Sequence, residues 1–458
     1  MRDQLTQTLI GACQLPRGAR VLVGLSGGGD SVALLRLLLE VAGDYPLQLR
    51  AAHLDHGLRP ESSRDARWVE DLCASLQIPL TLERQDVAAM ARSTGCGLEE
   101  AGRLARREML ARVAQRQGCD AVALGHQRGD QAETVLHRLL RGTSISGLAA
   151  MRHRQGLFIR PLLDWPRQEL ECYLRDCGQD YLQDASNQDP VFTRNRLRHQ
   201  VLPLLCQFNP RLEEHLAALA RRCAEEEDSW RLQVVAALDI LRLPAQDELR
   251  LARPGLAQLP PALGRRVLRQ ALGEVRGQTA GLDAGHLEDL LALVKAGPAQ
   301  AELHLPQCWA GLRFESLVLR TSPPPAQPSP RVQVDGPGDY LLPDGRTMRF
   351  QILTTARGEA PDAVEYDCKA VRFPLQVRGF EPGDRIRLEG LGGRKKLKEL
   401  FSEARIEQER RRCWPLLVGK EPLWVIGLRR CAGYRPQTPV GEVLRVAVLN
   451  GDSSTIRL

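Results

Sequence analysis

Three glycines in a row between serines, Ser26-Gly27-Gly28-Gly29-Asp30-Ser31, give a backbone that a ligand can approach closely, because no Cβ stands in the way. The hexapeptide follows an apolar run (residues 21–25) and precedes a helical one (residues 32–39), so it reads as strand, turn and helix. The N–H groups of such a turn and of the helix behind it converge on one point, which suits an anion such as phosphate. The ordinary alternative is a turn in which Asp30 or Ser31 caps a core helix, which accounts for the Asp or Ser but not for three glycines. A Walker A loop is excluded: it needs a Lys, and the first lysine of the chain is Lys295. The G-x-G-x-x-G spacing of a dinucleotide fingerprint is also absent. Phosphate charge in this region must be met by arginine, main-chain N–H groups and a metal ion.

Two other clusters could act on a ligand held there. In Gly125-His126-Gln127-Arg128-Gly129-Asp130-Gln131-Ala132-Glu133-Thr134, Asp130 and Glu133 are three apart, so a helix puts both carboxylates on one face. Facing a crevice, they can hold Mg²⁺ or a cationic substrate. Their ordinary use is a capping box, with Asp130 as N-cap and Glu133 as its partner, and both uses can hold at once. His53, Asp55 and His56 fall in His53-Leu54-Asp55-His56-Gly57-Leu58-Arg59. Polar side chains at a strand end suit a ligand crevice, and their spacing fits no common metal motif.

The elements that must position these groups alternate. Strand-like runs at 21–25, 47–54, 80–84 and 121–125 are separated or followed by helical patterns at 32–39, 63–76, 98–117 and 130–141, with another helix at 167–177. The repeat predicts an α/β fold, a parallel sheet with helices on both faces. Ligands bind beyond the carboxyl ends of such strands, where all three clusters fall. The expected organisation is an α/β domain over 1–215, a mostly helical domain over 216–321, a stiff linker over 322–330 with five prolines in nine residues, and a β-rich domain over 331–458.

At 458 residues, two or three domains are expected. A hydrophobic fraction of 43% and a charged fraction of 26% are those of a soluble globular chain. No apolar run has membrane-spanning length, and the start of the chain does not read as a secretory signal. Twelve cysteines without a C-x-x-C pair read as free thiols, so a cytoplasmic location is expected and a zinc ribbon is not. A formal net charge of +7 permits nucleic-acid binding without establishing it.

These motifs occur in one order with Leu139-Leu140-Arg141-Gly142, Asp184-Ala185-Ser186-Asn187, Arg194-Asn195-Arg196-Leu197-Arg198, Gly383-Asp384-Arg385, Lys396-Leu397-Lys398-Glu399-Leu400-Phe401 and Trp414-Pro415-Leu416-Leu417. Together they resemble the tRNA(Ile)-lysidine synthetase family of PP-loop ATP pyrophosphatases, over nearly the whole chain. The hexapeptide specifies only PP-loop enzymes; the arginine-rich and C-terminal segments make the resemblance specific. It implies a PP-loop sheet, a helical domain and a small β-rich C-terminal domain. It implies that C2 of the wobble cytidine of a tRNA(Ile) with a CAU anticodon is activated by AMP transfer from ATP. Free L-lysine then displaces AMP, so the tRNA reads AUA and is charged with isoleucine.

Under the resemblance, Ser26, Gly27, Gly28, Gly29, Asp30 and Ser31, with His53, Asp55 and His56, bind ATP. Asp30 orients Mg²⁺. Asp130 and Glu133 recognise the lysine ammonium, and one accepts its proton. Arg103 and Arg106, three apart on the 98–117 helix, contact phosphate or the adenylate, although the spacing equally fits a solvated face. Arg194, Asn195, Arg196 and Arg198, and the distant run Arg394, Lys395, Lys396 and Lys398, contact tRNA. The chain departs from the family pattern at Gly129, where an Asp is usual, at Arg107, where an aromatic is usual, and at Ile406-Glu407-Gln408-Glu409, where a Pro-Trp pair is usual. The sequence leaves a homodimer open. Competing readings are a PP-loop thiolation enzyme, disfavoured by the lack of clustered cysteines, an amidotransferase-type ligase, for which no glutaminase domain is evident, and an RNA-binding protein with a vestigial nucleotide site.

Overall fold

The computed structural model describes residues 1–57, 62–182, 193–325, 328–389, 393–438 and 440–449, which divide into two compact units, Met1–Arg231 and Leu232–Leu458. The expected segment Asp184-Ala185-Ser186-Asn187, together with Leu58, Arg59 and linker residues 326–327, lies outside the described residues.

The first unit opens with α1 (Arg2–Ile10) and then alternates through β1 (Arg20–Gly24), α2 (Gly29–Val41), β2 (Gln48–Asp55), α3 (Ser62–Ser75), β3 (Leu80–Arg84), α4 (Val87–Thr94), α5 (Leu98–Arg116), β4 (Ala121–Leu124) and α6 (Arg128–Leu140). After α7 (Ile145–Leu148) come a short hairpin, β5 (Arg154–Gln155) and β6 (Phe158–Ile159), and α8 (Arg167–Asp176). Next are α9 (Thr193–Arg196), a π-helical turn (Leu197–Val201), α10 (Leu202–Phe208) and α11 (Leu212–Leu241), within which the unit ends. The six strands run in the order β3-β2-β1-β4-β6-β5, all parallel except the β5–β6 pair.

The core explains the order. Val21, Leu22 and Val23 are fully buried in succession, as in a parallel strand covered on both faces. Val21 and Val23 face a core built with Leu34, Leu35, Leu37 and Leu38 of α2 and Leu170 and Leu174 of α8. Leu22 faces the opposite core, with Ala105, Met109, Leu110 and Val113 of α5. From β1 the chain steps outward to β2 and β3, then returns to place β4 on β1's other side. The strand order therefore reverses between β1 and β4, the position where open α/β sheets form their ligand crevice.

The second unit contains the expected helices, α12 (Arg253–Gln258), α13 (Pro261–Arg276) and α14 (Ala284–Ala296), and also a sheet that the mostly helical reading of 216–321 did not include. Strands β7 (Arg242–Leu243), β8 (Leu249–Ala252), β9 (Gln300–Leu305), β10 (Cys308–Arg313) and β11 (Ser316–Arg320) form an antiparallel sheet in the order β7-β8-β11-β10-β9. Its apolar side shares a core with Leu268 and Leu272 of α13 and Leu290 and Val294 of α14. The described residues of 322–330 form neither helix nor strand.

Beyond them the chain is β-rich, as expected. One antiparallel sheet joins β12 (Arg331–Val334), β16 (Leu375–Arg378), β19 (Leu416–Val418), β20 (Pro422–Val425) and β21 (Arg429–Arg430). Another joins β13 (Gly338–Leu341), β14 (Thr347–Thr355), β22 (Val440–Leu449) and β15 (Ala363–Asp367). A ribbon of β17 (Arg385–Arg387) and β18 (Arg394–Lys396) leads into α15 (Leu397–Glu403) and α16 (Gln408–Cys413).

Candidate functional site

The glycine turn closes on itself without a side-chain cap. Gly28 is the N-cap of α2, and neither Asp30 nor Ser31 caps the helix, so that alternative is not the one the fold uses. The Ser31 hydroxyl instead donates to the Gly28 carbonyl at 2.9 Å and accepts from the Ser26 N–H at 3.2 Å. Ser26 Oγ lies 3.1 Å from Ser31 Oγ. Gly27 has φ +88°, a conformation natural to glycine, and a Cβ there would come within 2.7 Å of Leu182 Cδ1. Among the described residues the N–H groups of Gly27, Gly29 and Asp30 donate to no protein acceptor, as an anion cradle requires.

Gly125, at the end of β4, seats the turn. A Cβ there would stand 2.8 Å from the Asp30 carbonyl oxygen and 2.9 Å from the Ser31 nitrogen. The first turn of α2 thus rests directly on the β4 backbone. In the sequence Gly125 stands only as the first residue of the acidic-pair motif; a glycine ending a strand beside a ligand turn is the signal for this role.

Asp30 is half-buried, and its pKa is raised to about 6. Burial is the main cause and the charge of Asp130 the next, partly offset by Arg167 and Arg198. A carboxyl in that condition gains from any cation placed beside it. His53 is buried, with Nδ1 2.8 Å from the Leu25 carbonyl, and burial holds its pKa below the ordinary value. Burial of Asp55 opposes its ionisation, but the Gly57 N–H at 2.9 Å, the Ser62 hydroxyl and Arg84 outweigh this and keep its pKa low. His56 Nε2 lies 3.0 Å from Arg106 Nη2. Of these two α5 arginines, both exposed to solvent, Arg106 therefore reaches the strand-end groups.

The acidic pair is the most heavily engaged part of the crevice. The helix starts two residues earlier than the spacing predicts, at Arg128. Its N-cap is Gln127, and Asp130 is the third-position member of the capping box, so the assignment of Asp130 as N-cap with Glu133 as partner is corrected. Asp130 Oδ2 accepts from the Gln127 N–H at 3.0 Å, which leaves Oδ1 to face the crevice, and Glu133 takes no part in the cap. Gly129 also has a local reason. Its N–H donates to Gln127 Oε1, and a Cβ there would stand 3.0 Å from that same atom.

Two arginines expected to contact RNA pair with these carboxylates. Arg194 Nε donates to Glu133 Oε2 at 2.9 Å, and its Nη2 lies 3.4 Å from Asp130 Oδ1. Arg198 Nη2 donates to Asp130 Oδ1 at 2.7 Å, and its Nε donates to Glu133 Oε1. The arginines are four apart, so the short helix α9 and the π-helical turn put both on one side. Arg196, between them, is exposed.

His126, another residue without a prior role, faces the same groups. Burial, assisted by Arg160, Arg194 and Arg106, lowers its pKa to about 4 against the pull of Asp130, so its ring is neutral at pH 7. Among the described residues, no group of three or more His, Cys, Asp or Glu could hold a metal ion. A divalent cation here would have to be completed by nucleotide phosphates, which is how Mg²⁺ usually binds.

In the second unit the β17–β18 ribbon carries the C-terminal basic run. Arg385 pairs with Lys396 and Arg387 with Arg394 across the ribbon, and all four are exposed, while Ile386 between them is buried. Arg385 and Arg387 thus join the expected basic face; the alternation of polar and apolar residues was their signal. Lys395 turns away and donates to Glu403 at 2.6 Å, Arg394 also pairs with Glu421, and Lys398 is exposed at the start of α15. Two departures noted above find partners. Arg107 lies over the Phe158 ring at 4.8 Å, and Glu407 and Glu409 pair with Arg250 and the buried Arg313.

A family model described as a PP-loop domain matches residues 2–205, one described as a TilS substrate binding domain matches 251–317, and one described as a TilS substrate C-terminal domain matches 375–445. A tRNA(Ile)-lysidine synthase of Geobacter sulfurreducens is 36% identical over 422 residues, covering 90% of this chain and 89% of that protein. Those of Geobacillus kaustophilus and Solibacter usitatus are 34% and 35% identical, covering 91% and 94% of this chain and 92% and 98% of theirs.

Proposed function

The chain belongs to the tRNA(Ile)-lysidine synthase family, and on that premise we propose that it joins free L-lysine to C2 of the wobble cytidine of a tRNA(Ile) with a CAU anticodon. It is an ATP-using, tRNA-modifying enzyme. In the first step the cytidine O2 attacks the α-phosphate of ATP, AMP is transferred and pyrophosphate leaves. In the second the lysine ε-amine attacks C2, and AMP leaves with the former O2. The enzyme is thereby a ligase forming a C–N bond.

One observation carries this reading. The unsatisfied amides of the glycine turn, the Asp30 carboxyl and the buried pair Asp130 and Glu133 meet where the strand order reverses between β1 and β4. The amides of Gly27, Gly28 and Gly29 and the hydroxyls of Ser26 and Ser31 cradle the ATP phosphates, with His53, Asp55 and His56 beside them. Asp30 would hold a Mg²⁺ ion beside the nucleotide, and the ion would supply charge stabilisation for the departing pyrophosphate. Arg106, and Arg103 with it, contacts the adenylate. Asp130 and Glu133 bind the lysine ammonium, and one takes its proton to free the amine. The surface for tRNA is Arg194, Asn195, Arg196 and Arg198 in the first unit and Arg394, Lys395, Lys396 and Lys398 in the second. The working division is catalytic over 1–215, helix-containing over 216–321, linker over 322–330 and tRNA-binding over 331–458, in a cytoplasmic enzyme that can act as a homodimer. No described helix is long and apolar enough to cross a membrane.

The test is mass spectrometry of a tRNA(Ile) with a CAU anticodon after incubation with ATP and lysine. A gain of one lysine less one water at the wobble cytidine, with one pyrophosphate per modification, is expected. Modification that requires a sulfur donor in place of lysine, or no pyrophosphate release with any tRNA, overturns it.

A further inference from the structure

The carboxylates assigned to the lysine ammonium are fully occupied by the protein itself. Asp130 Oδ2 takes the Gln127 N–H, Asp130 Oδ1 takes Arg198 Nη2 at 2.7 Å with Arg194 Nη2 at 3.4 Å, and the two oxygens of Glu133 take Arg198 Nε and Arg194 Nε. All four carboxylate oxygens thus already have an N–H donor. The charges also cancel, two carboxylates against two guanidinium groups. Glu133 is only 2% exposed and Asp130 7%, so this balance is struck where water screens little. An ammonium competing for Asp130 and Glu133 would meet guanidinium groups already seated on both carboxylates. The arginines differ from the carboxylates in one respect: their side chains stay partly open to solvent, 36% for Arg194 and 22% for Arg198.

We infer that Arg194 and Arg198 stand in the place of the substrate ammonium in the RNA-free enzyme, and that the tRNA backbone opens the lysine site by drawing them away. The inference rests on the lysidine reading above. Guanidinium groups bind phosphate in the same two-point fashion as carboxylate, so an RNA backbone is a competent competitor for them. Each arginine drawn to a phosphate returns a negative charge to the crevice. With both gone, Asp130 and Glu133 present two buried carboxylates to one ammonium. Arg194 and Arg198 are then positioning residues that couple the two substrates. The coupling is reciprocal, so lysine tightens tRNA by the same factor that tRNA tightens lysine.

Equilibrium dialysis of radiolabelled lysine against the full chain, without ATP so that nothing turns over, reads this directly. With the tRNA(Ile) transcript present, wild-type lysine affinity should rise at least about tenfold. The double variant Arg194→Gln/Arg198→Gln should bind lysine without RNA at least about tenfold tighter than wild type does, and added tRNA should change it little. A wild-type lysine affinity that ignores tRNA overturns the inference, and this arm needs no variant to fold. A double variant that keeps its ATP affinity but binds lysine more weakly than wild type also overturns it, because the arginines would then belong to the lysine site. The two readings separate on the same preparation: lysidine formation with tRNA-independent lysine affinity removes the gating alone, whereas no lysidine removes both.

Discussion

Replacing Gly125 with alanine should damage ATP chemistry far more than it damages the fold. The new Cβ would lie 2.8 Å from the Asp30 carbonyl oxygen, 2.9 Å from its carbonyl carbon and 2.9 Å from the Ser31 nitrogen. All three are main-chain atoms of the first turn of α2, so none can swing aside as a flexible side chain would. Relief to an ordinary contact needs roughly half an ångström of opening between β4 and α2, and overpacking of this kind costs about 1–3 kcal/mol. Against a domain stability of about 5–15 kcal/mol, that leaves nearly all molecules folded. The displaced turn, however, carries Asp30 and the phosphate-binding amides. A shift of this size should lower the rate of tRNA- and lysine-dependent pyrophosphate release by ~10- to 100-fold. The assay is that release rate beside a thermal melt, with Gly43→Ala as the control, since a Cβ at Gly43 meets nothing nearer than 3.7 Å. A Gly125→Ala enzyme within threefold of the wild-type rate, or one whose loss only follows its unfolded fraction, would refute the argument that β4 sets the height of the turn.

Three further outcomes follow from the same geometry. Glu133→Gln should raise the lysine KM at least about tenfold and also lower the melting temperature, because it takes the charge from a buried partner of Arg194 and Arg198; unchanged lysine kinetics would remove it from recognition. Stability against pH should show two opposing effects. Asp30, raised from 3.8 to about 6, favours folding in its protonated form and contributes up to about 3 kcal/mol that is lost as pH rises through 6. His126, lowered from 6.5 to about 4, contributes a similar amount that is present above 6.5 and lost as pH falls through 4. Asp30→Asn should therefore unmask stability that rises between about pH 4 and 6.5 in denaturant titrations, and a flat difference from wild type would contradict the burial of Asp30. Glu409→Ala removes a partner of Arg313, whose side chain is 2% exposed, and should destabilise the second unit by about 3 kcal/mol in calorimetry; an unchanged melt would show that Glu302 alone suffices.

Much of the first unit is legible in the chain. β3 falls on the predicted residues, and β1, β2 and β4 lie within one residue of theirs, because buried parallel strands are unbroken apolar runs between helices of 3.6-residue period. The three-residue spacing of Asp130 and Glu133 places them together because it needs only one helix. What the chain conceals depends on contacts across long separations. Nothing local to Arg194 or Arg198 tells that they pair with carboxylates more than sixty positions earlier, and an exposed basic stripe and a buried ion pair look alike in sequence. Gly125 is opaque for a similar reason, since its need for glycine is set by the backbone of Asp30 and Ser31. The sheet of the middle region was within reach, because Ala301, Leu303 and Leu305 alternate as a strand should, but β7 and β8 are two and four residues long among strong helical patterns. Glu407 and Glu409, departures when compared with a pattern, are ordinary once Arg250 and Arg313 are seen opposite them.

The charged groups that ring the crevice opposite its carboxylates are guanidinium groups, and the chain has no lysine before residue 295. Guanidinium remains protonated and does not behave as a nucleophile at neutral pH. A cytidine bearing AMP at the base is an electrophile held within reach of the protein, and a side-chain amine beside it would attack C2 in place of the substrate, expelling AMP and leaving enzyme and RNA cross-linked. By meeting every need for positive charge with arginine, the first unit gains the electrostatics of a cation without its reactivity, and it contributes no side-chain amine of its own to compete with the incoming amino acid.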